Sequence, residues 1–112
     1  MVIDFSQFYC GACKSLADSH QNDSEFHDLV SGEKCGFMVA LPENDRNSWL
    51  GRYNASTFIG KSSVFSMSQG SIGTAFGLNI PGIPRVFMIN RKGEVVADQE
   101  GGMPSDMNDL CQ

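Results

Sequence analysis

The apolar positions of this 112-residue chain fall into short blocks whose spacing switches between strand-like and helix-like. Val2 to Phe5 reads as a brief buried strand with one acid, Asp4, inside it. Past Cys13, the residues Leu16, Ala17 and His20 recur at helical spacing, so a helix follows the strand. Asn22, with Glu25 three residues on, has the pattern of a capping box that restarts the helix. Phe26, Leu29 and Val30 supply the apolar face of this second helix, and Gly32 suits its end. Gly36 to Leu41 is unbroken in its apolarity, as strands of a parallel sheet covered on both faces tend to be, and Pro42 stops it. Asp45 is placed to cap a short helix carrying Trp49, Leu50 and Tyr53, after which Asn54 to Lys61 reads as a polar connection.

Ser63 to Phe65 is a minor edge-strand candidate. Ser68 can cap another helix with Ile72, Ala75 and Phe76 on its apolar side, and Gly77 then falls at the left-handed position that ends a helix. Arg85 to Ile89 and Glu94 to Asp98 flank Asn90-Arg91-Lys92-Gly93, a tight turn with glycine at a positive-φ position, so the two segments form a hairpin. Ser105 to Leu110 is predicted as a short, weakly apolar terminal helix. The order strand, helix, strand, helix, helix, hairpin, helix predicts an α/β fold. Its central mixed sheet is parallel at first, is closed by a C-terminal antiparallel hairpin, and is flanked by helices.

A hydrophobic content of 41% over this length fits one domain, residues 1–112, with a small continuous core. The longest apolar runs, Phe37 to Leu41 and Val86 to Ile89, are strand-sized and far below the roughly 20 residues of a membrane span, so no membrane contact is expected from this segment. A net charge of -5, with no basic cluster longer than Arg91-Lys92, argues against nucleic acid and against anionic membrane surfaces. Four cysteines are too few for a disulfide-stapled mini-protein, and only Cys10 and Cys13 are close in sequence.

That pair is the candidate chemistry. A strand that ends in a turn and then opens a helix aims the first sulfur at free backbone N–H groups and at the positive end of the helix dipole, which favours the thiolate. The thiolate is the nucleophile of thiol-disulfide exchange. Cys10 is therefore the candidate nucleophile and Cys13 its resolving partner.

Three separated segments resemble the thioredoxin superfamily, and more narrowly its TlpA/ResA-type thiol-disulfide oxidoreductases. Asp4-Phe5-Ser6-Gln7-Phe8-Tyr9-Cys10-Gly11-Ala12-Cys13-Lys14 is similar to the strand-to-helix segment of that family. Phe76-Gly77-Leu78-Asn79-Ile80-Pro81-Gly82-Ile83-Pro84 resembles its cis-proline loop, and Met88 to Val95 resembles its hairpin. The resemblance implies a protein disulfide oxidoreductase of thioredoxin fold with no cofactor, working as a monomer. Its partners would be protein disulfide substrates and a thiol-disulfide electron donor, and its direction reductive. It implies a cis Ile83-Pro84 bond that presents the main chain of Ile83 to a substrate strand, and a general-base role for Asp4 toward Cys13. Phe8 and Tyr9 would frame the sulfur, with Tyr9 touching substrate.

In the family the central strand is already under way at the position of Met1, so the preceding element is expected to be absent. Ala12 stands where thioredoxins often carry proline, and Gly36 to Leu41 offers no match to the lysine that partners the acid in thioredoxins. No basic and apolar leader opens the chain. The family implies an extracytoplasmic site, in the periplasm or cell envelope, whereas a true start at Met1 implies the cytoplasm.

Two other readings compete. Cys10 and Cys13 could be half of a structural zinc site completed by His20, His27, Cys35 or Cys111, although the second short-spaced pair usual in such sites is missing. A peroxide-reducing enzyme of the same fold would place its attacking cysteine in a threonine-rich setting, which Gln7-Phe8-Tyr9-Cys10 lacks. Cys35 and Cys111 are expected to be free thiols, a disulfide between them being the alternative that geometry decides, and His20 and His27 are expected to be surface histidines, Arg85 a solvated strand-end charge, and Lys14 a helix-surface residue.

Overall fold

In the computed structural model the described residues are 1–31, 35–65, 68–75, 77–78, 80 and 82–101. Five strands, β1 (Val2–Phe5), β2 (Phe37–Leu41), β3 (Ser63–Phe65), β4 (Arg85–Ile89) and β5 (Val95–Glu100), form one sheet in the order β3-β2-β1-β4-β5. The helices are α1 (Gly11–Gln21), α2 (Ser24–Ser31), α3 (Arg46–Arg52), α4 (Phe58–Ser62) and α5 (Ser68–Ala75). β1 lies at the centre, parallel to β2 and antiparallel to β4, and β3 extends the parallel half. The terminal helix expected at Ser105 to Leu110 lies outside the described residues, as does Cys111.

Strand alternation divides the core into two layers. Val2 of β1 joins Val86 and Met88 of β4 and packs against Leu16, Phe26 and Val30 of α1 and α2. Beside them Val39 and Leu41 of β2 meet Ala17, Trp49, Tyr53 and Ile59. The opposite face carries Ile3, Phe5, Ala40, Phe87 and Ile89 against Ile72 of α5 and Leu78, Ile80 and Ile83 of the following segment. There Phe5 and Phe87 meet edge to face, with ring centroids 5.7 Å apart. Asp4 shares its face of β1 with Val2, so the acid points into the layer covered by α1.

Several helix boundaries are corrected by the hydrogen bonds actually formed. The break between α1 and α2 falls where expected, but the cap is Asp23, whose Oδ1 accepts the Phe26 N–H at 3.0 Å, and not Asn22. Asn22 instead closes α1, its side-chain amide donating to the Asp18 carbonyl at 2.9 Å. The segment from Asn54 to Lys61 is not merely a polar connection. Thr57 caps α4 by accepting the Gly60 N–H at 3.2 Å, and Ile59 is buried. Gly77, at φ 65°, ends α5 as expected: the Leu78 N–H reaches back to the Gly73 carbonyl at 2.7 Å and the Gly77 N–H to the Thr74 carbonyl at 3.1 Å. Ala75, expected on the apolar side of α5, is exposed. The hairpin turn is built by Asn90, whose Oδ1 accepts the N–H groups of Lys92 and Glu94, with Gly93 at φ 82°.

The two histidines are not surface residues. His20 lies on the same face of α1 as Cys13 and Ala17 and is buried, stacked on Phe26 at 4.4 Å and edge-on to Phe37 at 5.4 Å. Neither ring nitrogen has a hydrogen-bond partner among the described residues, so His20 fills space as a neutral aromatic ring. Burial accordingly pushes its pKa down to about 4. His27 is half-buried, stacked on Phe58 at 3.9 Å, and donates from Nε2 to the His20 carbonyl at 2.7 Å. Cys35, expected as a free thiol, is buried beside Val2 and Val30 and is disulfide-bonded.

α1 is tied to α3 by polar bonds. The Tyr53 hydroxyl donates to Asp18 Oδ1 at 2.6 Å, with the Lys14 carbonyl 3.0 Å away, and Arg52 Nη2 donates to Asp18 Oδ2 at 2.7 Å. Burial and then the Asp18 carboxylate push the Tyr53 phenol up to about 12, so it remains a donor at any physiological pH. Near this junction Gly60 sits so close to the loop before α4 that a Cβ would collide with the carbonyl oxygens of Tyr53 and Asn54. Gly60→Ala should therefore cost about 1–3 kcal/mol, read as a lowered urea midpoint with an unchanged slope.

Candidate active site

The central strand delivers its carboxyl end to a turn that opens α1. The Ser6 N–H still pairs with the Ala40 carbonyl at 3.1 Å, after which the Cys10 N–H closes the turn on the Gln7 carbonyl at 3.3 Å. Cys10 is the residue that caps α1. Its backbone is extended (φ -97°, ψ 110°) and its sulfur accepts the Cys13 N–H at 3.1 Å. A capping oxygen is replaced here by sulfur, so one of the unsatisfied amides at the positive end of the helix points at the reactive atom. Cys10 and Cys13 form a disulfide, with Cα atoms 5.2 Å apart. Cys10 is half-buried and Cys13 fully buried, so only the first sulfur faces outward.

The Ile83-Pro84 bond, which follows the α5 segment, is cis. The Ile83 carbonyl oxygen lies 4.0 Å from Cys10 Sγ. Pro84 is buried, and its carbonyl accepts the Gly101 N–H at 3.0 Å, which holds this segment to the end of β5. Arg85 is not a solvated charge: its side chain is 17% exposed, and it pairs with Asp98 at 2.6 Å and Glu100 at 3.6 Å.

Asp4 is fully buried. Its Oδ1 accepts the Ser6 hydroxyl at 2.8 Å, while Oδ2 has no partner among the described residues. Burial outweighs the Ser6 bond and pushes the carboxyl up to about 7. The group can thus take or give a proton near neutrality, on the face of β1 that α1 covers.

The aromatic residues before the cysteines divide the work. Tyr9 is 85% exposed, whereas Phe8 is half-buried against the layer around Trp49 and meets Tyr9 edge-on at 5.3 Å. Lys14, expected only to decorate the helix, has its Nζ 4.8 Å from the Phe8 ring centroid. Sequence reasoning missed one further residue, Asp45. The sequence places it as a helix cap, but its side chain makes no capping bond, and its Oδ2 accepts the Phe8 N–H at 2.7 Å across the loops. A cap signal cannot reveal such a bond, because the partner is 37 residues distant.

The structure brings Cys10, Cys13, Ile83, Pro84 and Tyr9 to one end of the sheet, with Asp4 beneath in the core. It does not bring His20 or His27 there. Among the described residues there is no cluster of three or more histidine, cysteine or acidic side chains arranged to hold a metal. Among the same residues, no helix is long and apolar enough to cross a membrane.

No family model and no curated protein sequence matches the chain. Solved structures do. StoA from Bacillus subtilis superposes with a TM-score of 0.70 at 20% identity, over 99% of this chain and 81% of StoA. DsbF of MTB, solved in mixed oxidised and reduced forms, gives 0.64 at 16% identity, over 99% and 79%. The thioredoxin domain of a Bacteroides vulgatus thiol-disulfide oxidoreductase gives 0.58 at 15%, over 96% and 71%. The chain has the thioredoxin fold, as its motifs implied.

Two buried titratable groups give this fold opposing pH dependences. Between pH 4 and 6.5 the unfolded chain protonates His20 and the native one does not, so this residue makes stability rise with pH. Between about 3.8 and 7 the native chain holds a proton on Asp4 that the unfolded chain has lost, so this residue makes stability fall as pH rises. Asp4→Asn should leave the rising slope alone and His20→Phe the falling one, each at most about 1.4 kcal/mol per pH unit, measured by urea denaturation from pH 4 to 7.5.

Proposed function

We propose that this chain is a thiol-disulfide oxidoreductase that reduces disulfides of protein substrates, with Cys10 as nucleophile, Cys13 as resolving thiol and Asp4 as general base. The observation that carries the reading is the position of Cys10 Sγ, held by the Cys13 amide at 3.1 Å and lying 4.0 Å from the Ile83 carbonyl beside a cis proline. The likeness in fold to thiol-disulfide oxidoreductases supports it.

In the reduced protein the Cys10 thiolate, favoured by the helix amides, attacks one sulfur of a substrate disulfide. The substrate S–S bond breaks as the Cys10-substrate bond forms, and the second substrate sulfur leaves as a thiolate that takes a proton from solvent. An extended substrate segment finds main-chain hydrogen-bonding groups at Ile83, and the exposed ring of Tyr9 offers an apolar contact. Main-chain recognition of this kind tolerates many sequences. Asp4 as carboxylate then accepts the Cys13 proton, and the Cys13 thiolate attacks Cys10 Sγ. This breaks the Cys10-substrate bond, expels the attacked substrate sulfur as a thiolate that is protonated from solvent, and leaves the Cys10-Cys13 disulfide. Two electrons have passed to the substrate, and an external dithiol donor restores the starting state. Such an enzyme has its substrates where protein disulfides persist, which favours a periplasmic or cell-envelope setting.

Two experiments test the scheme. Cys13→Ser, incubated with disulfide-bearing proteins, should accumulate mixed disulfides that are visible on non-reducing gels and released by dithiothreitol, and Cys10→Ser should accumulate none. Equal capture by both would remove the assigned roles. Asp4→Asn should slow turnover of an insulin disulfide about 10²-fold and abolish the rise in rate through pH 7 that titration of Asp4 imposes. An unchanged pH profile would assign the proton transfer elsewhere.

A further inference from the structure

We propose that Asp45 is a positioning residue of the redox turn, holding Phe8 by a partly buried carboxylate-amide bond so that the Cys10 sulfur stays aimed at the start of α1. The proposal rests on the thiol-disulfide reading of Cys10. Its origin is topological. β1 and β2 are parallel neighbours, so the loops leaving their carboxyl ends lie side by side at one edge of the sheet. From the β2 loop, a short 3-10 turn at Glu43–Asp45, fixed by the Asp45 N–H on the Pro42 carbonyl at 3.1 Å, presents the Asp45 side chain to the β1 loop.

The residue stands where a cap of α3 belongs, yet its side chain makes no capping bond to that helix. Its Oδ2 is committed to the Phe8 N–H at 2.7 Å, and the residue is only 6% exposed. Phe8 lies past the end of β1, where the strand ladder no longer supplies partners, and an anionic acceptor makes a stronger bond than a neutral one. Two residues on, Cys10 closes the same turn through the Gln7 carbonyl. With the Phe8 main chain pinned, its ring is held under Lys14 and against Tyr9, so one bond also orders the exposed aromatic beside the sulfur. A free Phe8 amide would let the turn open and carry Cys10 Sγ away from the Cys13 N–H.

The test measures the Cys10 thiol pKa from the pH dependence of its alkylation by iodoacetamide, followed on the Cys10 peptide by mass spectrometry in a Cys13→Ser background. Asp45→Asn and Asp45→Ala both remove the charge, but only asparagine keeps an oxygen that can accept the Phe8 amide. The difference between the two therefore isolates the bond. We expect the pKa in Asp45→Ala to lie about half a unit or more above that in Asp45→Asn, with alkylation at pH 7 roughly threefold slower. Identical values in the two variants would overturn the proposal. If Asp45→Ala does not fold, Asp45→Ser replaces it, since the shorter hydroxyl does not reach Phe8. A parent protein whose Cys10 titrates near the ordinary 8.5 would instead overturn the thiol reading itself, and that failure is distinguishable because it is seen before any change at Asp45.

Discussion

A sulfur atom caps a helix. The Cys13 amide at the N-terminus of α1 donates to Cys10 Sγ, and that contact aims the first sulfur of the pair. Such an interaction works only if strand, turn and helix are each held rigidly. β1 is buried between β2 and β4, α1 is pinned from below by Ala17 and His20, and the Asp18-Tyr53-Arg52 bonds tie it laterally to α3. Cys10 thus sits at a junction held from several sides, while its neighbour Tyr9 is the most exposed aromatic side chain among the described residues.

Beneath that junction the protein buries polar groups and suppresses their charge. Asp4 is held near its neutral form by burial, His20 is kept uncharged among Phe26 and Phe37, and their opposite demands on protons offset each other over the mildly acidic range. At the rim the strategy differs. Arg85, the first residue after Pro84, is neutralised by Asp98 and Glu100 from β5, so the surface next to Ile83 carries more carboxylate than guanidinium.

Local signals in the chain were read well where the physics is local. The cysteine spacing, the apolar strands, the glycines at 77 and 93 and the break after Gln21 all follow from preferences acting within a few residues, and the structure has them. Errors cluster where a side chain had two local options. Asn22 and Asp23 are both good caps, and the fold gives the Phe26 N–H to Asp23 while Asn22 bonds back to the Asp18 carbonyl. Asn54 to Lys61 is polar enough for a loop, yet burial of Ile59 against Trp49 and Tyr53 stabilises a short helix. The burial of the histidines is not legible in the chain, because an uncharged imidazole packs like any aromatic ring once it faces phenylalanines, and composition alone carries no sign of that.

The amino-acid sequence by itself determined the identity and order of the candidate groups: two thiols placed where a strand hands over to a helix, an acid six residues earlier, and a proline after an isoleucine far downstream. Tertiary structure decided which of them meet. It brought Ile83 to within 4.0 Å of Cys10, drew Asp4 out of water, and redirected Asp45 from its own helix to the Phe8 amide. The reason is range. Backbone preference and periodicity act over one or two turns of chain, whereas a carboxylate's pKa and a sulfur's neighbours depend on what the folded sheet packs around them.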